Sequence, residues 1–285
     1  MNFQGWIDDI ERMQLDVKGI EVYRGGVLTD SYGDTTQTRF PIYSATKSVL
    51  SLAFGIAWEE GLIDPDECVL KYLPRDVVDE MSDVQRETFS VFTIRRLLTM
   101  SVGGFPFRPE GDDWLRYSLA CPIERPQEVT FDYSNIPSYL VGVALAGAIG
   151  GDVWELVRDR ILEPLDIVGA EYQRSPEGFF YGASGLELTT NEFSRLGRML
   201  LAGGEYNGKR IVSKEYIETA TKVWIQNREG GYGFYFWKYR DGFYLSGKWG
   251  KRCYVLPKED MVLTYIAHME NGSDALVNSL QTHIL

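Results

Sequence analysis

The sequence predicts an α+β fold: one antiparallel sheet assembled from both ends of the chain, flanked by helices, with a mostly helical lobe inserted between the two halves. Three observations carry this. Strand patterns sit near both ends of the chain, and helical periodicity dominates the middle. The end segments also contain short turn signals, Gly25-Gly26 and Asp241-Gly242, which favour antiparallel hairpins. Residues 1–63 and 173–285 are therefore expected to form one discontinuous lobe and residues 64–172 the helical lobe, with a site between them.

The elements follow in chain order. Residues 3–16 read as an amphipathic opening helix, and "GIEVYRGGVLTDSYG" as two strands around Gly25-Gly26. In "IYSATKSVLSLAFGIAWEEGLID", Leu50, Phe54, Ala57 and Trp58 recur at helical spacing, and Gly61 marks a stop. Between residues 64 and 172, "TIRRLLTM", "DWLRYSLA", "SYLVGVALAGAI" and "VWELVRDRIL" are helical segments punctuated by Pro, Gly and Asp. "ASGLELTTNEFSRLGRMLLAGG" is a further helix with a glycine stop. "YGFYFWKYRDGFYLSG", "RCYVLP" and "MVLTYIAHM" read as strands, and "DALVNSLQTHIL" closes the chain as a helix. The aromatic run from Tyr232 to Tyr244 fits either a strand covered on both faces or a ring-binding platform. Burial statistics favour the covered strand.

Composition narrows the function. With 285 residues and 44% hydrophobic content, the chain can bury a substantial core. A net charge of -12 without a basic cluster argues against nucleic acid, whose binding depends on Lys and Arg neutralising phosphates. Cys68, Cys121 and Cys253 are far apart and odd in number, which suggests buried reduced thiols rather than disulfides. Two histidines and no C-x-x-C argue against a structural zinc site. "MNFQGWIDDIERMQ" lacks the basic start and apolar run of a signal peptide, and the apolar stretch from Tyr139 to Ile149 is too short to span a bilayer. A cytoplasmic protein without a membrane partner is the expectation.

The chemistry begins at Ser44 and Lys47. Residues three apart on a helix are neighbours, so the lysine amine can reach the serine hydroxyl. An apolar setting and a helix N-terminus both disfavour the ammonium, which prepares the lysine to act as a base. The unpaired N–H groups of a helix start can bind an oxyanion. Alone the pair is weak evidence, because S-x-x-K occurs about once by chance in a chain of this length. A capping serine and a snorkelling lysine would look the same. A Ser-His-Asp arrangement could use only His268 or His283, and no G-x-S-x-G elbow accompanies them. Paired carboxylates for glycoside cleavage are absent too: Glu59 and Glu60 are adjacent on a helix and cannot both face one site.

"PQEVTFDYSNIPSYLVG" adds Tyr133-Ser134-Asn135 in a turn before an apolar helix, offering a phenol for proton transfer and an amide to hold a carbonyl. Together the two motifs resemble the S-x-x-K and Y-x-N of the serine β-lactamase and penicillin-binding protein superfamily. The resemblance is to the branch of class C β-lactamases, D-alanyl-D-alanine carboxypeptidases and related esterases. "FTIRRLLTMSVGG", "ILEPLDIVGAEY" (with Asp166 where glycine is usual), "GASGLELTTNEFSRLGRMLLAGGEYNGKRIVS" and "SGKWGKRCYVLPKEDMVLTYIAH" extend it from about Gly19 to the C-terminus.

The third motif departs from the family pattern of K-T-G, H-x-G or W-x-G. Counting back from Gly250 and Pro257, the matching residues are Leu245-Ser246-Gly247, with no lysine at the head. A shifted register, Lys248-Trp249-Gly250, is the alternative, and strand alternation favours the first. Lys251 stands where relatives often carry glutamine.

The resemblance implies a β-lactamase/transpeptidase-like fold and a serine hydrolase that forms an acyl-enzyme on a small-molecule ester or amide, without a metal or organic cofactor. It assigns catalysis to Ser44, Lys47 and Tyr133, and substrate binding to Asn135, Ser246, Gly247 and Lys248. The Ser44 and Lys248 backbone N–H groups would be the oxyanion donors. With Leu245 in place of the motif lysine, efficient β-lactam cleavage is not expected. The competing expectation is a penicillin-binding or D-alanyl-D-alanine peptidase-like sensor that acylates with little turnover.

Overall fold

The computed structural model describes every residue from Met1 to Leu285. A six-stranded antiparallel sheet is its centre, built from β1 (Val17–Arg24), β2 (Val27–Gly33), β3 (Trp237–Tyr239), β4 (Gly242–Gly247), β5 (Lys251–Leu256) and β6 (Met261–Ala267). Their order across the sheet is β2-β1-β6-β5-β4-β3, so the N-terminal hairpin pairs with the last strand of the chain. Ile20 stands opposite Tyr265 and Val22 opposite Leu263. The β1–β2 turn is Gly25-Gly26, with φ of +55° and +76°, a conformation glycine adopts without a steric penalty.

The longer helices are α1 (Phe3–Arg12), α2 (Thr46–Glu59), α3 (Ile136–Ile149), α4 (Thr190–Leu201) and α5 (Asp274–His283). Helices α1 and α5 cover one sheet face with a cluster of 14 buried residues, including Trp6, Ile10, Leu276 and Leu280. The other face carries α4 and a core of 66 buried residues that runs on through α2 and α3. Strand β6 is buried along its whole length because alternate residues feed the two cores, Val262 and Ile266 one, Leu263 and Tyr265 the other. Helix α4 starts on a reciprocal Thr189–Glu192 capping box and lies close on the sheet at Gly197. A Cβ there would stand 2.4 Å from Cys253 Sγ.

Between residues 64 and 172 the regular structure is helical, including Ile94–Leu98, Trp114–Leu119 and Val153–Val157, which widens into a π turn over Arg158–Leu162. Every residue of α2 from Thr46 to Ala57 is buried, the pattern of a helix packed on all sides. Gly61 follows it with φ +73°. Helix α3 opens with Pro137 in its first turn and closes on Gly150 in the left-handed conformation. No single helix is long and apolar enough to cross a membrane.

The structure departs from the sequence reading in four places. The opening helix ends at Arg12, followed by Gln14 at φ +52°, rather than running to residue 16. The second hairpin turns at Arg240-Asp241, and Gly242 already pairs with Tyr239. Gly242 is needed for close packing instead, since a Cβ would lie 2.2 Å from the Val255 carbonyl oxygen. The expected strand from Tyr232 is a buried irregular segment, with Tyr235 at φ +65° and Gly233 donating to the Phe236 carbonyl. Finally, Ser44 sits in a separate 3₁₀ turn, Tyr43–Ala45, that leads into α2. Asp166 has φ +58°, a left-handed conformation that glycine adopts without the penalty other residues incur.

Candidate active site

The chain enters the site along Phe40-Pro41, paired with Glu187-Leu188, and the Ile42 N–H donates to the Leu186 carbonyl. Tyr43 then takes φ +48°, a conformation costing a non-glycine residue about 1–2 kcal/mol. Its ring packs edge-on against Trp249, which is itself at φ +63°. Gly247, at the end of β4, completes the fit. A Cβ on Gly247 would stand 2.0 Å from the Ile42 carbonyl oxygen. These contacts fix the chain that leads into Ser44.

Lys47 is fully buried, and its Nζ donates at 2.7 Å to Asn135 Oδ1 and at 2.9 Å to the Ala183 carbonyl, and lies 3.1 Å from Ser44 Oγ. Burial lowers its pKa to about 7. As a neutral amine it has two N–H groups, which Asn135 Oδ1 and the Ala183 carbonyl consume because both can only accept. The lone pair is then left for the Ser44 hydroxyl. That is the arrangement of a base.

Tyr133 lies 5.1 Å from Lys47 Nζ, measured to the ring centre. Burial pushes its phenol up to about 12, partly offset by the Ser44 hydroxyl beside it. It is therefore a protonated phenol at neutral pH, suited to giving a proton. Asn135 Nδ2 donates to the Tyr181 hydroxyl at 3.0 Å. With both ends of its amide engaged, Asn135 holds Lys47 in place while lining the cavity.

A cavity of about 300 Å³ opens above these groups. Ser44, Tyr133, Asn135, Ser246, Gly247 and Lys248 line it, and Lys47 lies beneath. Leu245 points into the core, fully buried opposite Cys253, which places Ser246 and Gly247 at the cavity. Lys248-Trp249-Gly250 is the turn from β4 to β5. The Lys248 N–H has no backbone acceptor, and its Nζ rests 4.2 Å from the Trp249 ring centre. Lys251 lies behind the site, donating to the Ala267 carbonyl at 2.5 Å beneath the rings of Tyr43 and Trp249. No three His, Cys, Asp or Glu side chains converge to hold a metal ion.

Tyr43, Phe107, Ser184 and Trp237 also line the cavity and were not singled out from the sequence. Trp237 had a signal, the aromatic run, in which its neighbours Tyr232, Phe234, Tyr235 and Phe236 are buried. Phe107 is 60% exposed and carried no signal.

The family model for beta-lactamase matches residues 19–283. The chain belongs to the beta-lactamase family. It is 24% identical over 234 residues to 6-aminohexanoate-dimer hydrolase of Paenarthrobacter ureafaciens, covering 70% of this chain but only 53% of that protein. The chain thus matches about half the length of that curated relative. A class C beta lactamase from Rhodobacter sphaeroides superposes with a TM-score of 0.74 at 18% identity, covering 99% of this chain and 98% of the other. A penicillin binding protein from Bacillus halodurans superposes with a TM-score of 0.75 at 14% identity, covering 97% and 98%. At these identities the two structures show that the beta-lactamase family fold is shared.

Proposed function

We propose that the protein is a serine hydrolase that cleaves an ester or amide through an acyl-enzyme on Ser44. The observation that carries this is the hydrogen bonding of Lys47, whose two neutral N–H groups are consumed by acceptors while its lone pair faces the nucleophile. Ser44 Oγ attacks the carbonyl carbon as its proton passes to Lys47 Nζ. The backbone N–H groups of Ser44 and Lys248 receive the oxyanion. Tyr133 gives its proton to the leaving group as the tetrahedral intermediate collapses, and the Lys47 ammonium reprotonates the phenolate. Water then attacks the acyl-enzyme, its proton passing through the same pair, and Ser44 leaves with its hydroxyl restored. The name of the curated relative, a hydrolase, supports turnover over lasting acylation.

The test is turnover of a short p-nitrophenyl ester together with labelling by a fluorophosphonate. Ser44→Ala should abolish both while the melting transition persists. Near-wild-type rates in that variant would assign the nucleophile elsewhere. A stoichiometric burst with no turnover would instead identify a protein that stays acylated.

A further inference from the structure

The two oxyanion donors belong to separate pieces of backbone, and each piece has a strained residue beside its donor. Tyr43, with φ +48°, immediately precedes Ser44, and Trp249, with φ +63°, immediately follows Lys248. Their rings meet edge-on with centres 5.2 Å apart. Left-handed backbone is unfavourable for both residues, so surrounding contacts must hold the pair. On the Trp249 side, the Met269 N–H donates to the Trp249 carbonyl at 3.1 Å and the Ala267 N–H to the Gly250 carbonyl at 2.9 Å. These bonds tie the β4–β5 turn to the end of β6, but neither reaches Tyr43.

Lys251 reaches both rings. It is 2% exposed, and its Nζ lies 5.0 Å from the Tyr43 ring centre and 5.7 Å from that of Trp249. The amine donates to the Ala267 carbonyl at 2.5 Å, and the carboxylate that acts on it, Asp16, is itself paired with Lys18 at 2.5 Å. A buried ammonium without an anion of its own is costly, and hydrocarbon would fill the same space without that cost. The faces of two aromatic rings compensate here. Burial lowers the Lys251 pKa to about 8, with Asp16 opposing the shift and Lys18 adding to it, so the amine is charged at neutral pH. The Tyr43 phenol also faces it, held protonated by burial. Across the Trp249 ring lie the Lys248 amine and His268, which is paired with Glu270 at 3.0 Å.

We propose that Lys251 is a positioning residue for the oxyanion hole: its ammonium, anchored on the Ala267 carbonyl, draws the Tyr43 and Trp249 rings together and so holds the Ser44 and Lys248 N–H groups at one spacing. The role rests on the acyl-enzyme reading, which makes those two N–H groups the oxyanion donors. Lys251 sits behind the rings and acts through them.

Two variants test it with a short p-nitrophenyl ester and with fluorophosphonate labelling of Ser44. Lys251→Met removes the charge at similar length, and Lys251→Gln removes it while keeping an N–H for the Ala267 carbonyl. At neutral pH both should lose at least about tenfold in kcat/KM and in labelling rate, the scale of a misplaced reacting group. The melting transition of Lys251→Met should hold or rise, because a buried charge without an anion has gone. Above about 8 the wild-type amine is neutral too, so the ratio of wild type to Lys251→Gln should fall toward one between about pH 7 and about pH 9. Lys47 is common to both proteins and leaves that ratio unchanged. Wild-type rates in Lys251→Gln, a ratio that does not move with pH, or losses that only follow a lowered melting transition in both variants would each overturn the positioning role while leaving the hydrolase reading intact. A wild-type protein that neither turns over the ester nor takes the label would overturn the hydrolase reading, and this role with it.

Discussion

At the scale of single residues, Lys47 sets the pH dependence. Its pKa of about 7 means that kcat/KM for a short neutral ester should rise with pH along a limb centred near 7, as the ammonium becomes the free amine. The sign for stability follows from the same shift. Below about 7 both states hold the proton, but the folded one holds it in a buried site. Between about 7 and the ordinary value of 10.5 only the unfolded chain binds it, so stability rises with pH across that window. Urea midpoints of wild type and Lys47→Met, compared at about pH 6 and about pH 9, should show the wild type gaining relative to the variant at the higher pH. An equal difference at both values would mean that Lys47 is charged when folded. The Ser44–Lys47 pair was legible in the sequence because three-residue spacing is local geometry. The Ala183 carbonyl and the Tyr181 hydroxyl were not, since each reaches the site only through tertiary packing.

At the scale of elements, the close approach of β4 to the chain before Ser44 makes its own prediction. Gly247→Ala places a methyl group where the Ile42 carbonyl oxygen leaves no room, so either the strand end or the Tyr43–Ala45 turn must shift. A displacement near 1 Å at a reacting group costs on the order of 10² in rate. Gly26→Ala is the control: nothing lies within 4 Å of a Cβ there, and only the backbone strain at φ +76° is incurred, about 1–2 kcal/mol. The first variant should lose kcat, and the second should lose stability with kcat preserved. Equal kcat in both would separate Gly247 from the positioning of Ser44. These glycines also show why one turn was misread. Gly25-Gly26 makes a turn through its own φ values, which sequence reports faithfully, whereas Gly242 answers to the carbonyl of a neighbouring strand. Sequence gives no sign of which reason applies. The sheet itself was legible because its strands alternate toward two cores, and the buried aromatic segment before β3 was not, because Tyr235 turns the backbone out of strand geometry.

At the scale of the whole molecule, charge bears on which acyl compounds the site accepts. β-lactams carry a carboxylate near the reacting carbonyl, and an enzyme selective for them needs a cation there. Leu245, at the position of the missing motif lysine, is enclosed in the core and supplies none. Lys251 is buried behind Tyr43 with its amine committed to the Ala267 carbonyl. Lys248 lines the cavity but is exposed, its amine lying over the Trp249 ring. A solvated lysine contributes about 0–1 kcal/mol to an ion pair, against about 1.5–3 kcal/mol for a charge-assisted bond in a drier setting. The field of a chain with net charge -12 further disfavours the approach of anions. One protein preparation assayed on a short p-nitrophenyl ester and on a chromogenic cephalosporin should therefore show the higher kcat/KM on the ester. Added salt should narrow the gap, because it screens the repulsion felt by the anionic substrate alone. Faster turnover of the cephalosporin at low salt would show that Lys248 turns from Trp249 into the cavity and replaces the missing motif lysine.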